Sequence, residues 1–372
     1  MPSSAAVPHP HDRLLHVDAL KAVAAQLIVL HHLSAYGPIA DAVQTLLPAV
    51  IAGLYRHARL AVQVFLVVGG FLSARALSKR GRLVDLAVPG LLWRRYLRLT
   101  LPFMAAVGLS LGCGLLVRPW LPELVPDEVT LAQLLSHALL LQGVLGHDAL
   151  TAGAWYVAVD FQLFALLILL LWLARRLEFS RLALAWRGVV GPLLVLALAT
   201  ASLWLFNRNP GLDNWGLYFF GAYGLGALLH WALKSEQAPA HLALISAVGL
   251  LALGLEWRDR IAVALVAAWL LAALHWHHQR GGLQPLARRR LGRWVGWLGT
   301  HSYALFLVHY PVCLLVNALF EQQQMDGGAA GVAMMLLAWG LANLASVPFH
   351  RWIERPAGRL RFGALFAGAQ RA

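Results

Sequence analysis

The sequence predicts an all-α, polytopic membrane protein, and three observations carry that prediction. Apolar residues fill 60% of the 372 positions and charged residues only 13%, too few charges to cover a soluble globule of this length. Hydrophobic runs of 16 to 23 residues recur along the whole chain, long enough for helices to cross a bilayer. Lys and Arg are concentrated in alternate connections between those runs, as the positive-inside rule requires of a multi-pass protein.

Residues 1–17 carry no basic stretch followed by an apolar core and a small-residue cleavage site, so they are expected to be a cytoplasmic tail rather than a removable signal. Spanning helices are expected over 20–37, 58–77, 99–117, 154–174, 188–206, 215–233, 241–256, 261–277, 298–320 and 331–350. Segment 131–146, LAQLLSHALLLQGVLG, is apolar but only 16 residues long, and no basic cluster follows it. If it does not span, 24 of the 30 Lys and Arg lie on one side. The other six are Arg56, Arg59, Arg118, Arg208, Arg258 and Arg260. If it spans, the basic clusters after residue 175 face outward. The segment is therefore expected to be re-entrant or interfacial, which leaves about ten transmembrane helices and both termini cytoplasmic.

No long Pro/Gly/Ser-rich linker and no self-similar period interrupts the series. Residues 18–356 are expected to form a single membrane domain, with 357–372 as a second cytoplasmic tail and no appended soluble domain. The net charge of +13 is accounted for by topology, so the expected partner is the lipid bilayer and not nucleic acid. Cys113 and Cys313 fall inside apolar spans, where packing is their natural role.

Chemistry in such a chain must come from intramembrane polar groups, which are costly and therefore candidates for function. Lys21 and His32 share the first helix. Eleven residues turn a helix through about 1,100°, so both project from nearly one face, ~16 Å apart along the axis. His31 points about 100° away. Five further patterns follow: VFLVVGGFLSARAL at 64–77, RRYLRL at 94–99, WYVAVDFQLF at 155–164, SYALFLVHYPV at 302–312 and HRWIERP at 350–356.

In this order and spacing the six patterns resemble the acyltransferase-3 family, bacterial integral-membrane O-acyltransferases. The resemblance covers almost the whole chain. It implies a multi-pass protein of the bacterial inner membrane that moves an acyl group, acetyl first among candidates, from cytosolic acyl-CoA to a hydroxyl. Acetyl-CoA would then be a co-substrate rather than a bound cofactor. The acceptor would be a cell-envelope polysaccharide or other glycan, a lipid-linked sugar or a small hydroxyl compound.

The resemblance also assigns residues. Lys21 stands where the family usually has Arg, and His32 holds the matching His. As a compact point charge, Lys21 can pair with a phosphate of CoA or anchor the helix end by snorkelling. Neutral His32 can take the proton of an acceptor hydroxyl as it attacks the thioester, or be a satisfied interhelical histidine. Asp160, where the family supplies Glu, can support that imidazole as the acid of a triad does, or favour its own helix N-terminus. Arg75, Arg95 and Arg98 are candidate CoA phosphate ligands, although topology alone explains basic residues there. His309, beside a helix-bending Pro311, can line a substrate tunnel or sit hydrogen-bonded in the core.

Lys21 and Asp160 are thus two departures from the family pattern, and a third follows. The family's Ser-Gly-Phe reads Gly69-Gly70-Phe71 here, which removes a hydroxyl but keeps small residues for close helix packing. In HRWIERP, Glu354 and Arg355 read most simply as a salt bridge or helix stop. The outer loop with Asn207, Arg208, Asn209, Asp213, Asn214 and Trp215 mixes polar and aromatic groups, suited either to a sugar or to a capped turn. His275, His277 and His278 are better explained by a helix C-terminus than by a metal. No P-loop, HExxH, G-x-S-x-G or CxxC occurs, so ATPase, metalloprotease and serine-hydrolase chemistry lack their parts. The rival class is a secondary transporter or lipid-linked glycan exporter, which would use similar midplane groups.

Overall fold

The computed structural model describes residues 14–85, 87–178, 188–283, 285 and 289–360. They form α1 (Leu15–Leu33), α2 (Pro38–Leu46), α3 (Pro48–His57) and α4 (Val62–Leu77), the last two joined by the 3-10 turn Ala58–Ala61. A hairpin of β1 (Ser78–Lys79) and β2 (Arg82–Leu83) leads to α5 (Val88–Val117), α6 (Leu131–Ala138), α7 (Ala154–Glu178), α8 (Val190–Trp204) and α9 (Gly216–Ala232). The chain continues as α10 (Ala238–Leu255), α11 (Asp259–Gln279), α12 (Arg290–Gln322) and α13 (Gly328–Phe349), which runs into a π-helical turn over His350–Glu354.

Among the described residues, eight helices are long and apolar enough to cross a membrane, nine if the bent pair α1 and α2 is one span. The sixth predicted span, 215–233, is α9, which has 17 residues, the lower limit of a spanning length, and is enclosed by other helices over nearly all its positions. The first predicted span is displaced: its helix begins at Leu15, ends at Leu33, and the chain turns by 95° into α2. Gly37 makes that corner possible. Its φ is +81°, and a Cβ would lie 2.5 Å from Asn317 Oδ1, while Pro38 starts α2 with a φ already suited to a helix.

Segment 131–146 does not form a spanning helix. Thr130 caps the two-turn α6 by accepting from Gln133 N, and the chain then breaks into turns. His137 locks the segment down: its Nδ1 meets Gln133 O at 2.8 Å, and Leu150 N donates to its Nε2 at 3.1 Å. Burial lowers the pKa of this imidazole, which keeps Nε2 an acceptor.

Small residues set the closest helix crossings. A Cβ on Gly70 of α4 would lie 1.8 Å from Tyr223 O of α9, and one on Gly226 of α9 would lie 1.9 Å from Val67 O of α4. The two backbones therefore touch directly, the close approach that small residues permit between membrane helices. Gly299 does the same for α12, where a Cβ would meet the backbone of Asp18 on α1. This second contact brings the polar face of α1 against α12.

Candidate functional site

Residues near the C-terminal end of α1 and the middle of α12 form an aromatic and imidazole cluster. The rings of His32 and His309 stack with centroids 4.8 Å apart and planes 28° from parallel. Tyr36 also stacks on His32, at 5.6 Å, and Tyr310 meets Tyr36 edge-on at 5.5 Å. His31 lies beside His32 at 5.0 Å and against Tyr55 of α3 at 5.8 Å. Its separation from the Lys21 face does not remove it from the cluster, because the corner after Leu33 and the return of α3 enclose this end of α1.

The hydrogen bonding of this cluster is incomplete. His309, 1% exposed, has its Nδ1 2.6 Å from Phe306 O. A carbonyl only accepts, so Nδ1 carries the proton and Nε2 is a bare lone pair. That Nε2 is enclosed with no partner among the described residues, and so are Nδ1 of His32 and Nδ1 of His31. His32 itself is half-buried, and its Nε2 is not among the enclosed atoms. The sealed nitrogen of the ring is therefore Nδ1, and Nε2 lies outside the enclosed set.

Asp160 lies elsewhere in the hydrogen-bonding network. Arg95 Nη2 of α5 donates to its Oδ2 at 2.5 Å, and the guanidinium covers the Phe164 ring at 5.1 Å. The structure therefore brings Asp160 together with Arg95, a predicted phosphate ligand, and not with the His32 ring it was expected to support. The physical reason lies in α5: it begins eleven residues before the predicted span, at Val88, and so carries Arg95 inside the bundle against α7. Arg98, one turn on, keeps an exposed side chain and feels the charges of Glu354 and Asp160.

Lys21 lies near the opposite end of α1 from His32, with α1 unbroken between them. Its Nζ is 3.6 Å from Asp18 Oδ1, and 27% of its side chain is exposed. Arg75 is exposed at the end of α4, where its charge reaches His16, His230 and His275. His16 Nε2 and His275 Nδ1 are 3.2 Å apart, and His278 packs against the His16 ring. Among the described residues no group of three His, Cys, Asp or Glu is arranged to hold a metal ion.

A basic cleft opens beside the hairpin that follows α4. Lys79, Arg80, Arg82 and Arg175 line a cleft of 590 Å³ with Leu83, Val84 and Gly188. The hairpin turn takes φ of 52° at Arg80 and 75° at Gly81, and Gly81 packs on Pro192 so closely that a Cβ would lie 2.4 Å from it. Two of the four cations are engaged: Arg82 with buried Glu178 at 2.9 Å, and Arg175 Nη1 with Leu83 O at 2.9 Å. The Arg80-Gly81 turn was the available signal, since paired residues at positive φ mark a tight hairpin.

Two other predicted features resolve as structure. In the loop expected to face outward, Asn209 Oδ1 accepts from Gly211 N, Asn207 Nδ2 donates to Tyr218 O and Arg208 reaches Ala252 O. The first is a turn bond, and the other two tie the loop to α9 and α10. Glu354 bonds His350 Nδ1 at 2.9 Å, inside a π turn that follows Pro348. The expected partner, Arg355, is not the one the helix geometry supplies, because residues four apart share a face and adjacent ones do not.

A family model described as an acyltransferase domain matches residues 14–349, nearly the whole chain. No curated protein and no solved structure shows a significant match.

Proposed function

We propose a specific reaction for this chain on the premise that it belongs to the acyltransferase family whose model spans it. The protein is a multi-pass membrane acyltransferase. In our reading it is a bacterial inner-membrane enzyme that takes an acyl group, acetyl by preference, from cytosolic acyl-CoA and places it on a hydroxyl of an envelope glycan, lipid-linked sugar or small acceptor.

One observation carries this reading: half-buried His32 lies near one end of α1 with Nε2 outside the enclosed atoms, while Lys21 lies toward the other end of the same unbroken helix, ~16 Å away. That span is of the order of an extended pantetheine arm. A donor whose phosphates lie near Lys21, Arg75 and the hairpin cations can therefore bring its thioester to His32. Lys79 and Arg80 are better placed for this than Arg95, whose guanidinium is taken by Asp160. His32 then acts as general base on the acceptor hydroxyl. The aromatic rings of Tyr36, Tyr55 and Tyr310 limit water around the thioester.

The test is turnover of labelled acetyl-CoA by purified protein in lipid, read as thiol release with a panel of hydroxyl acceptors. Acceptor-dependent thiol release that disappears in His32→Ala, with the variant still folded, is the expected result. Wild-type protein that binds CoA but never releases thiol would overturn it.

A further inference from the structure

The base needs a partner that fixes its tautomer, and the residue predicted for that role is committed elsewhere. A general base of this kind must keep Nε2 free of its proton, so Nδ1 must hold the proton and donate it to something. Asp160 accepts from Arg95 instead. What lies beside the His32 ring is His309, at 4.8 Å between centroids.

Three facts make the two rings complementary. Nε2 of His309 can only accept, because its Nδ1 donates to Phe306 O at 2.6 Å. That Nε2 is enclosed and unpartnered, and so is Nδ1 of His32. Buried polar atoms without partners are rare and cost stability. Here two lie on neighbouring rings, the lone pair of His309 Nε2 and a His32 Nδ1 that carries a proton whenever Nε2 of that ring serves as base. His31 Nδ1 is also enclosed and unpartnered, but its ring turns to α3, lying against Tyr55 and meeting the backbone of Leu54 and Tyr55.

Resting on the acyl-transfer reading, we propose that His309 is a positioning residue for His32: its Nε2 accepts a hydrogen bond from Nδ1–H of His32 when substrate is engaged. The present rings are stacked, and rotation of the His32 ring about Cβ–Cγ turns stacking into a hydrogen bond. A relay then runs from Phe306 O through His309 to His32, each tautomer dictated by the carbonyl at its origin. In the reaction the acceptor O–H bond breaks and its oxygen bonds the acyl carbon. The proton passes to His32 Nε2, the C–S bond breaks, and the departing CoA thiolate takes that proton to leave as thiol. His309 holds the other side of the imidazolium throughout and touches no reacting atom.

The experiment combines spectroscopy and kinetics on the full chain in lipid. In wild-type protein labelled with ¹⁵N-histidine, His32 should be the Nδ1–H tautomer, assigned by comparison with His32→Ala. His309→Phe should lower kcat by at least about tenfold with KM for acetyl-CoA little changed, as loss of an orienting partner does. His309→Gln, whose amide oxygen can still accept, should recover much of that loss. His32 found as the Nε2–H tautomer overturns the proposal, and so does a Gln variant no better than Phe. If neither variant folds, the wild-type tautomer decides alone. Because that measurement needs no turnover, failure of the acyl-transfer reading and failure of the relay remain distinguishable.

Discussion

The carboxylate of Asp160 is closed on the guanidinium of Arg95, 2.5 Å from Nη2, with only 8% of the Asp160 side chain exposed. Removing one member of such a pair leaves the other charge buried without compensation, which costs about 3–5 kcal/mol. Asp160→Ala and Arg95→Ala should each lower thermal stability sharply. The double variant should be less destabilised than the two losses added together, with a coupling of at least ~1 kcal/mol. Melting curves in detergent give the cycle, and simple additivity would show that the pair is not energetically joined. A consequence for mechanism follows: Asp160→Ala should lose activity through folding, whereas Asp160→Glu should keep the ion pair and much of the turnover.

Lys21 offers a different kind of contact. Its ammonium is 3.6 Å from Asp18 and partly exposed, so it can be shared with an incoming phosphate without stranding a buried charge. Lys21→Ala should raise KM for acyl-CoA by about tenfold, the effect of one lost charge-assisted contact of ~1.4 kcal/mol. Lys21→Arg should retain or improve binding, because a guanidinium grips phosphate with two parallel bonds. An unchanged KM in Lys21→Ala would place the phosphates elsewhere.

The hairpin cleft predicts where elsewhere would be. Lys79 and Arg80 line it, whereas Arg82 and Arg175 hold Glu178 and Leu83. Joint replacement of Lys79 and Arg80 by Ala should weaken acyl-CoA binding and flatten its dependence on salt, since exposed charges act through a screened field. Arg82→Ala should instead reduce stability, because it leaves Glu178 without its cationic partner. Isothermal titration with CoA at two ionic strengths separates the two outcomes.

Fold class and the non-spanning nature of 131–146 were legible because they depend on helix length, hydropathy and the side taken by Lys and Arg, all local in the chain. The same holds for His32: helix periodicity puts it on the Lys21 face, and α1 is continuous between them. What the sequence could not reveal was partner choice. Asp160 and His32 share no local pattern, and whether Asp160 meets His32 or Arg95 depends on how far α5 extends before its apolar run, which reaches back to Val88. His309 was visible as an intramembrane histidine, but its bare Nε2 follows from a carbonyl three residues earlier in a helix containing Pro311. The basic cleft is hidden for a related reason: cations strung along a short loop form a cleft only because Gly81 lets the hairpin pack on Pro192.

Gly69 and Gly70 are adjacent on α4 but would meet different obstacles if given a side chain. A Cβ on Gly70 would lie 1.8 Å from Tyr223 O, and the obstacle is backbone, so α4 and α9 would have to part. A Cβ on Gly69 would lie 3.3 Å from the Tyr223 ring edge and 4.0 Å from Asp160 Oδ1, a contact that a small ring shift relieves. Gly70→Ala should therefore destabilise the protein by a few kcal/mol, about the cost of overpacking a tight interface, while Gly69→Ala should be nearly neutral. Gly69→Ser goes further: it should place a hydroxyl beside Asp160, where the family's Ser would stand, and fold as well as wild type. Comparing melting temperatures of the three variants tests the crossing, and a Gly70→Ala protein as stable as Gly69→Ala would mean that α4 and α9 are not in backbone contact.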